Sequence, residues 1–306
     1  MAILNKSSDG IVSVLVAMVR TSVVLGEIPR HKLLGICCPK SLVGESQTFG
    51  TNTLNRWQEL GLFHVSDDQR VTVVDEFRQE LRKSNATAPA IADVARRIIL
   101  AKSNNKNFWS DTENKAADFT RAAAWMLAQD VYAFAPIAHA TVEPLCNAQA
   151  LSPKVILLQN DTRWPGYKSW ATFLGFGRSE SGKASGGFVT DPTLAIMNHV
   201  KELVPKKGDI AINDFLDGLV QSVPVLDGGE YRREVEGNLK PDKWKSPSPN
   251  ELSTSLSRAL LRLRAIGTIR LDNRSDSDAQ VKLIGRDHDV VQSVTHVLRG
   301  DAKWTS

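Results

Sequence analysis

The sequence predicts a mainly α protein with small β-hairpins, an α+β fold, and two observations carry that expectation. The first is the stretch Thr51 to Val74. Leu54, Trp57 and Leu60 recur there at helical spacing up to Gly61, and an apolar strand, a polar loop and a second apolar strand follow. The second is the return of this pattern near the other end, from Ser257 to Ile284. At an offset of 206, Leu54 falls on Leu260, Arg56 on Arg262, Trp57 on Leu263, Leu60 on Ile266 and Gly61 on Gly267. An apolar helix stopped by glycine at C′ and followed by a hairpin is the recognition helix and wing of a winged helix-turn-helix. Two such units are therefore expected, flanking a helical middle.

Taken in order, residues 9–25 read as a buried helix rich in Val, Leu and Met, with Asp9-Gly10 as its start. Arg20 interrupts the apolar run and no small-residue cleavage site is evident, so it is read as core and not as a signal peptide. Pro29 opens a second helix through Leu33, Leu34 and Ile36, since proline is tolerated at the first helical position. A polar link at 41–47 leads to the third helix. A charged helix at 75–83 then ends the first unit, residues 1–83.

A helical connector is expected at 84–141, with apolar spacing in 91–101 and 116–134 on either side of the polar loop SNNKN at 103–107. Its basic residues Arg96, Arg97, Lys102 and Lys106 read as a solvated face. The segment 142–205 holds an apolar run at Val155 to Leu158, a Trp-rich helix at 164–173 and a hairpin with a long Gly/Ser tip. A third, degenerate winged unit is the alternative reading of that segment. The C-terminal unit, 206–306, begins with a helix at 209–223 that Pro224 ends. A Pro/Lys/Ser-rich link at 238–250 precedes a long helix capped by Asn250, whose seam is Leu252, Leu256, Leu260, Leu263 and Ile266. A last helix is expected around Val290 to Leu298.

Of the 306 residues, 42% are hydrophobic and 24% charged, an ordinary globular balance, and the net charge of +4 permits a nucleic-acid partner without demanding one. Cys37, Cys38 and Cys146 form no CxxC pair and, with six scattered histidines, offer no zinc set. No metal or cofactor is expected, and the sparse, odd cysteine count points to a reducing cytoplasm. Cys37 and Cys38 read as small buried hydrophobes at a helix end. No run reaches the roughly 18 apolar residues of a membrane span.

The nucleic-acid-binding candidates lie on the polar faces of the two recurring helices. On the first, Asn52, Asn55, Arg56 and Glu59 stand opposite the seam, and Asn and Arg can pair bidentately with adenine or guanine edges. A solvated face is the plain alternative. On the second, Thr254, Ser255, Arg258 and Arg262 form the corresponding face. Nine Lys or Arg stand against four acids between Tyr231 and Arg270, so Arg258 and Arg262 are the favoured base or phosphate contacts. Both wing tips weigh against close backbone contact: Asp67 and Asp68 in the first, and Asp272, Asp276 and Asp278 in the second, stand where a phosphate-gripping loop carries Lys or Arg.

Three motifs resemble chemistry without supplying it. Gly177 to Lys183 matches GxxxxGK, but Ala184 replaces the magnesium-binding hydroxyl and no helix opens after it. Asp242 with Asp278, Gln280 and Lys282 echoes a nuclease metal site, yet the spacing runs through a winged hairpin. Arg286-Asp287-His288-Asp289 reads as a polar turn. With no nucleophile elbow and no HExxH, no catalytic residue is expected.

Three longer blocks carry a resemblance: AILNKSSDGIVSVLVAMVR at 2–20, FLGFG at 173–177 with FVTDPTLAI at 188–196, and VPVLDGGEYRREVE at 223–236. With these the chain resembles the G component of the bacterial Dpd clusters, which install and police 7-deazaguanine derivatives in DNA. The resemblance implies a bacterial cytoplasmic protein in phage defence, beside modification and restriction partners, and brings no catalytic residues with it. The expectation is a non-catalytic DNA-binding or adaptor subunit, with double-stranded DNA and other proteins of the same cluster as partners. A protein-docking scaffold and a transcriptional regulator of the cluster are the alternatives.

Overall fold

Leu15, Met18, Val19 and Val23 fall at helical spacing and are buried, and they define α1 (Val12–Leu25) in the computed structural model. The structure describes residues 3–4, 11–39, 48–110, 115–134, 138–155, 157–158, 160–179, 187–275 and 280–301, with 160–162 described by backbone alone. The start signal Asp9-Gly10, the link 41–47, the hairpin tip 180–186 and the wing acids Asp276 and Asp278 lie outside the described residues. Within them, helices and small antiparallel sheets make an α+β fold. The chain forms two compact units, 1–119 with 159–174, and 120–158 with 175–306. Residues 84–119 thus belong with the N-terminal segment and 120–141 with the C-terminal one.

In the first unit, β1 (Ile28–Pro29) leads directly into α2 (Arg30–Cys37). Then come α3 (Thr48–Leu60), β2 (Phe63–Val65) and β3 (Arg70–Val73). The sheet order is β1-β3-β2, with Ile28 opposite Val71 and Phe63 opposite Val73. Pro29 sits on the edge strand, where a missing N–H costs nothing. Helices α2 and α3 meet at Gly50, where a Cβ would lie 2.8 Å from the Cys38 sulfur. Cys38 is buried at the end of α2, the small hydrophobe the sequence suggests.

Helix α3 buries Leu54, Trp57 and Leu60, and the Trp57 ring packs at a 46° tilt against Trp170 of α8 (Asn160–Phe173), with centroids 5.4 Å apart. The unit is completed by α4 (Asp75–Lys83), with acids in its first turn and bases in its last, and by α5 (Ala88–Leu100). The loop after α5 is not merely polar. Asn104 is buried and donates to the carbonyls of Leu60 and Ile98, at 3.0 and 2.8 Å, which satisfies the open ends of α3 and α5 together.

The second unit contains most of α6 (Ala117–Ala128), α7 (His139–Gln149), the hairpin β4 (Gly177–Ser179) with β5 (Phe188–Thr190), and α9 (Thr193–Leu203). Next are β6 (Asp209–Ala211), α10 (Ile212–Ser222), α11 (Glu230–Glu236) and α12 (Thr254–Ala265). Strands β7 (Ile269–Asp272), β8 (Val281–Ile284), β9 (Val290–Val294) and β10 (His296–Arg299) close it. Here the sheet order is β6-β10-β7, with β8-β9 as a separate hairpin. As in the first unit, the earliest strand takes an edge and the last takes the centre.

The sequence repeat survives in the hydrogen bonds. Gly61 and Gly267 both have positive φ, 99° and 74°. After α3, Leu62 N–H donates to Trp57 O and Gly61 N–H to Gln58 O. After α12, Thr268 N–H donates to Leu263 O and Gly267 N–H to Arg264 O, at the same offset.

Four expectations are corrected. The strands on either side of the second polar loop do not pair as a hairpin: β7 pairs with β10 and β8 with β9. Val290 to Leu298 is not a helix but β9 and β10, because its β-branched residues favour extended backbone and its strands find partners, β9 on β8 and β10 between β6 and β7. Ser253, not Asn250, caps α12, accepting from Leu256 N–H. Asn250 instead holds a positive φ of 62° in the preceding turn. Ile266 is 55% exposed, since the helix has already turned into its C-cap.

Gly61→Ala tests the helix stop. An added Cβ meets nothing within 4 Å, so the loss reports backbone strain alone. The expected cost is about 1–2 kcal/mol, seen as a lower urea midpoint at unchanged slope.

Candidate nucleic-acid interface

The two candidate helices present different surfaces. On α3, Asn55 is exposed and Asn52 half-buried, with Gln58 and Glu59 exposed beyond them. Arg56 does not share that face. It is 3% exposed and pairs with Glu59 at 3.2 Å, because position 56 falls beside Trp57 on the side that the unit covers. The sequence had placed Arg56 on the outer face, and the structure corrects this.

The neighbouring helix contributes what sequence reading missed. Arg30, at the start of α2, donates to Asn55 Oδ1 at 2.7 Å, and His31 and Lys32 are exposed in the same first turn. The Arg30 N–H donates to Gln69 O of the β2–β3 turn, so strand tip, α2 and α3 come together at this point. The run Arg30-His31-Lys32 immediately after Pro29 was the available signal. The turn between β2 and β3 is acidic and internally hydrogen-bonded. Asp67 and Asp68 are exposed, Ser66 Oγ donates to Asp68 at 2.5 Å, and Arg70 pairs with Glu27 at 3.4 Å.

Helix α12 is committed to its own unit. Thr254 and Ser255 are 6% and 2% exposed. Thr254 Oγ1 accepts from Val131 N–H at 3.0 Å, and Ser255 Oγ donates to Leu127 O at 2.6 Å. The N-cap Ser253 donates through both N–H and Oγ to Asp227, which pairs at 3.4 Å with the fully buried Arg232. Thr254 and Ser255 are therefore not on an outer face as expected, because the helix start is buried under residues 127–131. Arg258 is half-buried.

Arg262 is held by Asp191, a carboxylate 3% exposed that also pairs with Arg178 of β4 at 3.3 Å and accepts the N–H of Thr193 at 3.0 Å. Asp191 thereby ties β4, the start of α9 and α12 to one point. The structure brings together Asn52 and Asn55 on one helix, and Arg258 and Arg262 on the other.

The remaining motifs lose their chemical reading where they are described. Gly177 belongs to β4, and a Cβ on it would meet the Phe188 ring at 2.2 Å, so packing accounts for the glycine. His288 is 75% exposed in a short turn and faces Asp130 at 3.8 Å. Arg96 is buried and not solvated. It donates to Leu174 O at 2.8 Å and pairs with Asp93, while burial pulls its guanidinium below the usual range. Burial pushes the thiols of Cys37, Cys38 and Cys146 up, and none of the three forms a disulfide. Among the described residues no group of three or more His, Cys, Asp or Glu could hold a metal ion. No described helix is long and apolar enough to cross a membrane.

A model of the DpdG-like family matches residues 1–277. The chain belongs to the DpdG-like family. The match spans all three blocks that carry the sequence resemblance and both copies of the helix–glycine–strand pattern up to β7. Membership in the DpdG-like family ties the chain to the Dpd 7-deazaguanine DNA modification system. No curated protein and no solved structure gives a significant match.

Asp191→Ala removes the shared acceptor of two arginines and a helix start. The arginines are a third to half exposed, so the expected loss is at the modest end for a charged hydrogen-bond network, about 1–3 kcal/mol. Arg262→Ala should cost less, since Asp191 keeps Arg178 and Thr193. Thermal unfolding of the two variants checks the order.

Proposed function

We propose that the chain is a non-catalytic DNA-binding or adaptor subunit of the bacterial Dpd machinery, working in the cytoplasm beside the other proteins of its cluster. In this reading each unit is a winged helix-turn-helix. The first offers α3 to the major groove, and the second serves chiefly as a built-in platform. The observation that carries it is the joint face of α2 and α3, where Asn55 and Arg30 are hydrogen-bonded to each other beside exposed His31 and Lys32. Asn supplies a paired donor and acceptor for adenine, and the cations of α2 suit adjacent phosphates.

Protein docking is the second reading, favoured by the acidic wing tip. Asp67 and Asp68 repel a phosphate backbone, and a wing turned toward a basic partner protein suits them better.

Binding of duplex DNA, with and without 7-deazaguanine modification, followed by fluorescence anisotropy across a salt series, tests the proposal. Asn55→Ala is expected to weaken binding about tenfold, within the 1–3 kcal/mol of a base contact. Lys32→Gln should make the salt dependence shallower by about one phosphate. Affinity unchanged by both variants would favour the docking reading.

A further inference from the structure

The described surface of the second unit carries a concentrated positive feature that includes none of the candidate residues of α12. A cleft of about 540 Å³ is lined by Lys206, Lys207, Gly208, Arg270, Leu298, Arg299, Gly300 and Asp301. The cations come from three separate segments. Lys206 and Lys207 occupy the exposed turn between α9 and β6, Arg270 stands on β7, and Arg299 ends β10. Strand register puts them at one end of the sheet: Leu298 of β10 lies opposite both Asp209 of β6 and Arg270 of β7. This is the end where α12 passes through Gly267 into β7.

Some of this charge has a structural use. Arg299 donates to Val204 O at 2.7 Å and also to Lys201 O, neutralising the carbonyl end of α9 and fastening the lysine turn to β10. The other three cations have no such use. Among the described residues no acid pairs with Lys206, Lys207 or Arg270, and all three are exposed. The neighbouring carboxylate Asp209 is occupied by Arg274, whose hydrogen bond holds it below the usual carboxylate range. Asp301 is the one acid in the lining.

Convergent like charges repel one another, and a concave wall focuses their field, so such a cleft attracts anions. Its floor includes Gly208 and Gly300, and Gly300 could carry no side chain, since a Cβ would fall 1.9 Å from Gly267 O. Gly300 is thus required by packing, while Gly208, whose Cβ position is open, leaves its backbone accessible to a bulky oxyanion.

We infer that this cleft grips the phosphate backbone of duplex DNA through Lys206, Lys207 and Arg270, at the end of the β6-β10-β7 sheet. The inference rests on the DNA-binding reading of the chain and adds a contact that neither candidate helix provides. Three long cations here supply sequence-independent affinity, while α3 supplies base contacts.

The test compares variants of the intact chain binding a fluorescent duplex across a salt series. Lys206→Gln, Lys207→Gln and Arg270→Gln combined should weaken binding at least tenfold at low salt and make the log-affinity slope shallower by about three. Asp301→Asn should tighten binding, an effect that damaged folding does not produce. An unchanged slope in the triple variant, with binding still lost on Asn55→Ala and Lys32→Gln, overturns the cleft and leaves the α3 reading standing. No binding of any duplex by the intact chain at low salt overturns both.

Discussion

A helix stopped by a glycine with positive φ is the constraint on which both units depend. Gly61 and Gly267 let the chain leave α3 and α12 and enter a strand within two residues, with the N–H of Leu62 and Thr268 closing the last turn. The abrupt exit sets the direction of β2 and β7 and brings a returning strand into the centre of each sheet. That strand pairs on its other side with the short strand ahead of the second helix. The helix face left uncovered is a consequence of this geometry.

The two units spend the same device differently. In the first, α3 keeps Asn55, Gln58 and Glu59 in solvent, and Arg30 steadies Asn55 from α2. In the second, the start of α12 is enclosed by Leu127 to Val131 and by the Asp227–Arg232 pair, while Asp191 holds Arg262. Leaving any of these buried polar groups unmatched costs about 1–3 kcal/mol. A helix bound at this many points does not release its N-terminal turn into a groove. Under the proposed function this becomes a division of labour, with recognition assigned to α2 and α3 and none to the start of α12.

Much of the fold was legible because glycine, proline and apolar spacing act locally. Gly61 and the seam Leu54-Trp57-Leu60 place α3 and the hairpin after it, and Pro29 marks the start of α2, but the short strand β1 that Pro29 belongs to gave no sign of itself. The residues misread are those whose state depends on distant chain. Arg56 looks solvent-facing by helical phase, yet it is buried. Asn104 sits in a stretch that reads as plain loop, but it caps two helices, one of them 44 residues earlier. Asp191 follows the second strand of a hairpin, and while its partner Arg178 lies across that hairpin on β4, Arg262 is 71 residues away on α12. Val290 to Leu298 reads as a helix because its valines, at 290, 291, 294 and 297, fall at helical spacing, and only pairing with β6, β7 and β8 makes it strand. Charge was the least legible feature. A nearly neutral chain hides a cationic cleft, because Lys206, Arg270 and Arg299 are far apart in sequence and meet only through strand register.

The central claim is that the first unit, through α2 and α3, faces DNA while α12 serves its own unit. Amide hydrogen exchange of the intact chain with and without duplex DNA tests it most directly, because it reads both helices in one experiment and needs no substitution. The account predicts slower exchange in residues 30–37 and 48–58 on adding DNA, with residues 254–260 protected from the outset and unchanged. Protection gained at 254–260 alone, with α2 and α3 unaffected, would contradict it.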